Sequence, residues 1–229
     1  MSKAGSVRKQ STNTRRQRLD PQERERLIVA GAIRFFAEVG FEGQTRELAR
    51  RLGITQPLLY RYFPSKDSLI ERVYQEVYLK RWQPHWKPLI LDRSRSLEER
   101  LIQLYKEYTR AIFDYEWTRI FMFAGLKGVS INQRYLALLR EHLFVPLCGE
   151  LRQLAGLPGP DAVPLTDAEL ELVIGLHGGI YYIAIRKWIY HLPVTEDLDG
   201  HIERVVRTFL TGVPVTLREH FPASVQSGS

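Results

Sequence analysis

Cysteine is all but absent. The single thiol, Cys148, can form no intramolecular disulfide and supplies no Cys-rich metal site, which predicts a reducing, cytoplasmic setting. Long hydrophobic runs are also missing. The most apolar stretch, 174–185, is interrupted by His177 and three glycines. A spanning helix needs about 20 apolar residues, so no membrane partner is expected. The basic residues near the N-terminus have no apolar segment behind them, which predicts no ordinary secretory signal. Period-2 alternation bounded by hairpin signals is missing, as is any internal repeat. There is no Gly-x-Ser-x-Gly elbow, no P-loop and no Gly-x-Gly-x-x-Gly fingerprint. The six histidines form no His-x-x-x-His or His-Glu-x-x-His pair. Neither catalysis nor a metal or cofactor is expected.

What is present is basic charge, unevenly placed. The 229 residues carry a net charge of +7. Residues 1–66 hold 14 Lys/Arg against 6 Asp/Glu, so the rest of the chain is close to neutral. Segment 1–19 has Lys3, Arg8, Lys9, Arg15, Arg16 and Arg18 and no acid, among Ser, Thr, Gln and Asn. It is too polar to bury a core and reads as a disordered basic arm. This asymmetry suggests a polyanion partner for the first third and a separate task for the body; a basic tail also serves as a merely solubilising segment.

The elements read as helices throughout. Asp20-Pro21-Gln22-Glu23 is a helix start, and Ile28, Ala32, Phe35, Phe36 and Val39 recur at helical spacing up to Gly40. Two short helices follow, Thr45 to Leu52 and one capped by Thr55. Ser65 opens another, which runs to about Trp82. Beyond Pro84 and Pro88 come longer segments: Ser96 towards Trp117, 118–126, and 132–155 with a bend at Pro146. Then follow Thr166 to His191 and Glu196 to about Leu210. The fold class is all-α, with about nine helices.

The most specific segment is Thr45 to Lys66, two short helices joined at Gly53. Leu48, Ala49, Leu52, Ile54, Leu59 and Phe63 face a shared core, and Arg46, Gln56, Leu58, Tyr60, Arg61 and Tyr62 are left outside. A helix of this size fits the DNA major groove. Phe35 to Phe41, Leu48-Ala49, Leu52-Gly53-Ile54 and Leu59 to Asp67 together resemble the DNA-binding domain of TetR-family bacterial transcriptional regulators. The chain is one residue shorter than the usual pattern between Gly40 and Leu48.

The resemblance implies a division into the arm 1–19, a DNA-binding domain 20–66 with its helix-turn-helix at about 44–63, a helical effector-binding and dimerisation domain 67–220, and a tail 221–229. It implies a regulator, a repressor by family habit, that binds a palindromic double-stranded operator as a homodimer and answers a small-molecule effector. Arg46 would fork onto guanine and Gln56 onto adenine, while Pro57 and Leu58 suit thymine methyls. Tyr60, Tyr62 and Lys66 would touch the DNA backbone. Thr45 would cap its helix and meet a phosphate, Thr55 would cap the recognition helix, and Arg61 would take either a base or a phosphate. The arm would lie in the minor groove or add only non-specific affinity. The competing reading is a basic nucleic-acid-binding protein of low sequence specificity.

In the body, aromatics are abundant. Tyr105, Tyr108, Trp117, Phe121 and Tyr181, with Arg119, His142 and His177 as polar groups, are candidates for an effector pocket. Gly175, Gly178 and Gly179 form one stripe, which suits either a dimer interface or an internal helix crossing. The family pattern pairs the last two helices with those of a second copy.

Overall fold

The computed structural model describes residues 20–220, which are helix and connecting turn, with no strand among the described residues. The expected arm, 1–19, and tail, 221–229, lie outside them. Helix α1 (Pro21–Val39) starts where Asp20 accepts backbone N–H bonds from Gln22 and Glu23, and stops at Gly40, whose φ of +75° suits glycine. Its face of Ile28, Ala32, Phe35 and Phe36 is buried. Helices α2 (Thr45–Arg51) and α3 (Gln56–Tyr62) are too short to stand alone and lean on that face through Leu48, Ala49 and Leu59. Ser65 and Ser68 make a reciprocal capping box for α4 (Lys66–Val77), after which a 3₁₀ turn covers Leu79–Arg81.

The body comprises α5 (Trp86–Leu91), α6 (Leu97–Ile112), α7 (Tyr115–Lys127), α8 (Ile131–Leu139), α9 (Val145–Ala155), α10 (Asp167–Trp188) and α11 (Leu198–His220). Capping boxes stand at Ser96–Glu99 and Thr166–Glu169, where the sequence places helix starts. All nine expected helices are present, and the short α5, which contains Pro88, is an addition. Several boundaries differ. The expected run from Ser96 towards Trp117 breaks at Phe113, because Asp114 caps a new helix by accepting from the Trp117 N–H at 2.8 Å. The last helix continues past Pro214 to His220, because Val213 and Leu217 are buried against the body.

The bend expected at Pro146 is a π turn, Arg140–Phe144, that joins α8 to α9. A proline inside a helix lacks an N–H, and its ring crowds the carbonyl four residues back. The chain widens before it, so that the Val145 N–H reaches the Arg140 carbonyl five residues away.

Helix α10 corrects the expectation from its interrupted run. By length and composition it is apolar enough to cross a membrane, the one such helix among the described residues. Its apolar side chains have work inside the fold: Leu170, Val173, Leu176, Ile180 and Ile183 are buried against neighbouring helices. The opposite side, with Ile174, Gly175, Gly178, Gly179 and Tyr182, is open.

Candidate nucleic-acid interface and ligand cavity

The turn between α2 and α3 depends on Gly53, whose φ is +65°. Thr55 caps α3 by accepting from the Leu58 N–H at 3.3 Å, as its position in the sequence suggests. Thr45 does not cap α2. Gln44 holds that place without a side-chain bond, and Thr45 is the first helical residue. Its hydroxyl instead pairs with the Tyr60 hydroxyl at 2.9 Å and accepts from Gln56 Nε2 at 3.1 Å. These bonds tie the start of α2 to the recognition helix and hold the Gln56 amide in place. Thr45, Arg46, Gln56, Tyr60 and Lys66 line one shallow, open groove, together with Glu42 and Gln44.

Charge pairing separates the arginines of this unit. Arg50 is bound to Glu47 by two bonds of 2.7 Å, and Arg51 joins Glu47 and, on α1, Glu38. The two guanidinium groups hold the Glu47 carboxyl down to about 2. Arg46 and Arg61 are exposed and have no ion pair among the described residues. Pro57 is exposed and Leu58 half-buried. Tyr62, expected outside, is half-buried against the core.

In the body, a cavity of about 420 Å³ opens between α7, α8, the π turn and α10. Of the expected pocket residues, Tyr108, Trp117, Phe121, His177 and Tyr181 line it. Three do not. Tyr105 is buried beside His177, with 6.1 Å between ring centres, but is not part of the cavity wall. His142 sits against Trp82 at 5.8 Å. Arg119 points to the opposite side of α7 and donates to the carbonyls of Ala37 and Glu38 at the end of α1. Sequence spacing could not separate these cases, because 117 and 121 share one side of α7 while 119, 123 and 127 share the other.

Tyr135, Arg140 and Phe144 also line the cavity and were missed in the sequence reading. The π turn, which no residue pattern announces, turns Arg140 and Phe144 towards it. Tyr135 donates to the Tyr108 hydroxyl at 3.2 Å, and that hydroxyl lies 3.5 Å from His177 Nε2. Burial lowers the His177 pKa to about 4. His177 Nδ1, the Tyr181 hydroxyl and Trp117 Nε1 are buried without a hydrogen-bond partner among the described residues.

A family model described as bacterial regulatory proteins, tetR family, matches residues 28–73, which contain the end of α1, the helix-turn-helix and the first turns of α4. Residues 28–73 are thus similar to the N-terminal domain of the tetR family. The tetracycline repressor protein class A from transposon 1721 of Escherichia coli is 29% identical over 83 residues, 33% of this chain and 38% of that protein. The chain therefore matches little more than a third of the length of this relative. Among solved structures, a TetR family transcriptional regulator from Pseudomonas syringae pv. tomato shares the fold at a TM-score of 0.55 and 22% identity, over 84% of this chain and 97% of that one. A tetR-family transcriptional regulator from Streptomyces coelicolor does so at 0.56 and 18% identity, over 91% and 89%. The chain as a whole, with the all-helical body downstream of residues 28–73, thus shares the fold of these two structures.

Proposed function

We infer that the protein is a DNA-binding transcriptional regulator that reads a palindromic operator as a homodimer and releases it when a small molecule fills the cavity of the body. Residues 20–66 are the DNA-reading unit and 67–220 the effector-binding and dimerisation unit in this reading. The observation that carries it is the groove of α2 and α3. Among the helix-turn-helix arginines, Arg46 and Arg61 alone are left free of carboxylates, and Gln56 is braced by Thr45 beside Arg46. Free guanidinium and amide forks are the groups that read guanine and adenine edges, while Tyr60, Lys66 and the first turn of α3 suit the phosphate backbone.

Two features support the homodimer. A Cβ placed on Gly175, Gly178 or Gly179 would meet nothing within 4 Å, so these glycines serve no crossing among the described residues. Beside them on α10, Ile174 and Tyr182 are exposed. A second copy packed there would cover this face and give each half-site its own recognition helix, roughly 34–36 Å or a multiple apart.

Helix α7 supports the coupling. One side bears Trp117 and Phe121 in the cavity wall. The other bears Arg119 on the last carbonyls of α1, Phe123 against Gly40, and Lys127 paired with Glu42 at 2.8 Å. A ligand that shifts α7 therefore acts directly on the DNA-reading unit, by no more than its differential affinity for the two arrangements.

Selection of bound duplexes from a random pool, followed by competition against bulk DNA at several salt concentrations, tests the reading. A palindromic consensus is expected, with Arg46→Ala costing about 1–3 kcal/mol and relaxing one base pair, and Gln56→Ala another. Equal retention of every duplex would leave only the non-specific alternative.

A further inference from the structure

The walls of the body cavity are rings and aliphatic side chains. Among the described residues, no carboxylate lines it. Its single guanidinium, Arg140, is exposed to solvent. The only base within is His177, which burial keeps neutral near pH 7 because its pKa falls to about 4. A charged ligand of either sign would thus lose its hydration and find no counter-ion inside.

The polar atoms inside are few and directional. Tyr135 gives its proton to the Tyr108 hydroxyl, which leaves the Tyr108 proton free to point at His177 Nε2. A neutral imidazole that accepts at Nε2 carries its own hydrogen on Nδ1. That Nδ1–H has no partner, and neither does the hydroxyl of Tyr181, one helical turn further along α10. Buried donors without acceptors are uncommon and costly, and these two stand four residues apart on α10 in the wall of one cavity, which Trp117, with its own unpartnered Nε1, also lines.

Resting on the effector reading above, we propose that the cavity takes an uncharged, flat, largely apolar molecule bearing a carbonyl-type acceptor, which is held by His177 Nδ1–H and the Tyr181 hydroxyl. Its ring system lies among Trp117, Phe121, Tyr135 and Phe144. The space falls within the range of ordinary small-molecule sites.

Calorimetric titration of the full chain, without DNA, with four naphthalenes substituted at the same ring position tests the class. They are acetylnaphthalene, ethylnaphthalene, naphthoate and trimethylammonionaphthalene. Acetylnaphthalene should bind tightest, by about tenfold over the ethyl compound, which lacks the acceptor. It should exceed the two ions by at least about tenfold. Tyr181→Phe, which removes one unpartnered oxygen and keeps the ring, should bring the acetyl compound close to the ethyl one and leave the ethyl compound within about twofold. His177→Phe should act in the same way. The proposal is overturned if naphthoate binds tightest and loses its advantage in Arg140→Ala, or if the ammonium compound binds tightest. It is equally overturned if the acetyl preference survives both substitutions, or if the folded protein binds none of the four. Operator selection is measured separately, so a failure here is distinguishable from a failure of the DNA-binding reading.

Discussion

Four arginines of the helix-turn-helix look alike in the sequence. Arg50 and Arg51 are neutralised by Glu47 and Glu38, whereas Arg46 and Arg61 remain available. The i,i+3 and i,i+4 partners of Glu47 are legible from spacing. Glu38 lies on another helix, so its role depends on how α1 meets α2. Arg152 is a stronger case of the same limit. As a polar residue on an amphipathic helix it reads as surface, yet it is fully buried. It pairs with Glu169 at 2.5 and 2.8 Å and donates to the carbonyls of Pro158, Val163 and Pro164. It thus closes the Pro/Gly loop between α9 and α10. Arg152→Met should destabilise the protein by about 3–5 kcal/mol, because Glu169 is left buried without its cation, and a denaturant titration reads this directly. Restoration of part of that loss in Arg152→Met/Glu169→Gln would separate charge from packing. Burial opposes the Glu169 charge, but Arg152 and the Thr166 cap outweigh it and hold the carboxyl below its ordinary value of 4.5. The unfolded chain therefore takes up the proton first. The contribution of this pair is complete above about pH 4.5 and declines as the pH falls further.

At the scale of elements, α7 is two-faced in a way a hydrophobic pattern does not reveal. Both of its sides are aromatic, and Arg119 among them reads as a polar contact for a ligand. Its guanidinium instead satisfies carbonyls that α1 leaves open at its C-terminus, at 2.5 Å to Ala37 and 3.4 Å to Glu38. Arg119→Gln should leave ligand affinity within about twofold and weaken the link between occupancy and DNA release. Titrating the effector against the preformed protein–operator complex measures this. Unchanged release would assign the coupling to the end of α4, where the next residue, Tyr78, donates its hydroxyl to the Trp117 carbonyl of α7 at 3.2 Å. Capped helix starts were legible because Ser, Thr and Asp announce them. The π turn and the passage of α11 through Pro214 were not, since both are decided by what the following residues bury.

For the whole molecule, the N-terminal unit was readable nearly to the residue, because its contacts are close in sequence. The body was readable as helices but not as an arrangement. The cavity is assembled from residues between 108 and 181, and its members are chosen by helix rotation rather than by spacing. The open side of α10 carries the last prediction. Gly175→Gln and Gly179→Gln have room within one chain, so thermal stability at low concentration should hold or rise slightly. Sedimentation should nevertheless show monomers where the parent chain forms pairs, and operator affinity should fall with pairing. If the paired state survived in both variants, another face would have to be the seam.

Ile174 and Gly178 border the cavity from the same helix whose outer edge holds Gly175 and Gly179. In a twofold assembly joined through that helix, each bound molecule rests one side-chain layer from the neighbouring copy. If contact between the copies coupled the two cavities, saturation would be cooperative rather than hyperbolic, and a modest rise in ligand concentration would fill both sites almost together.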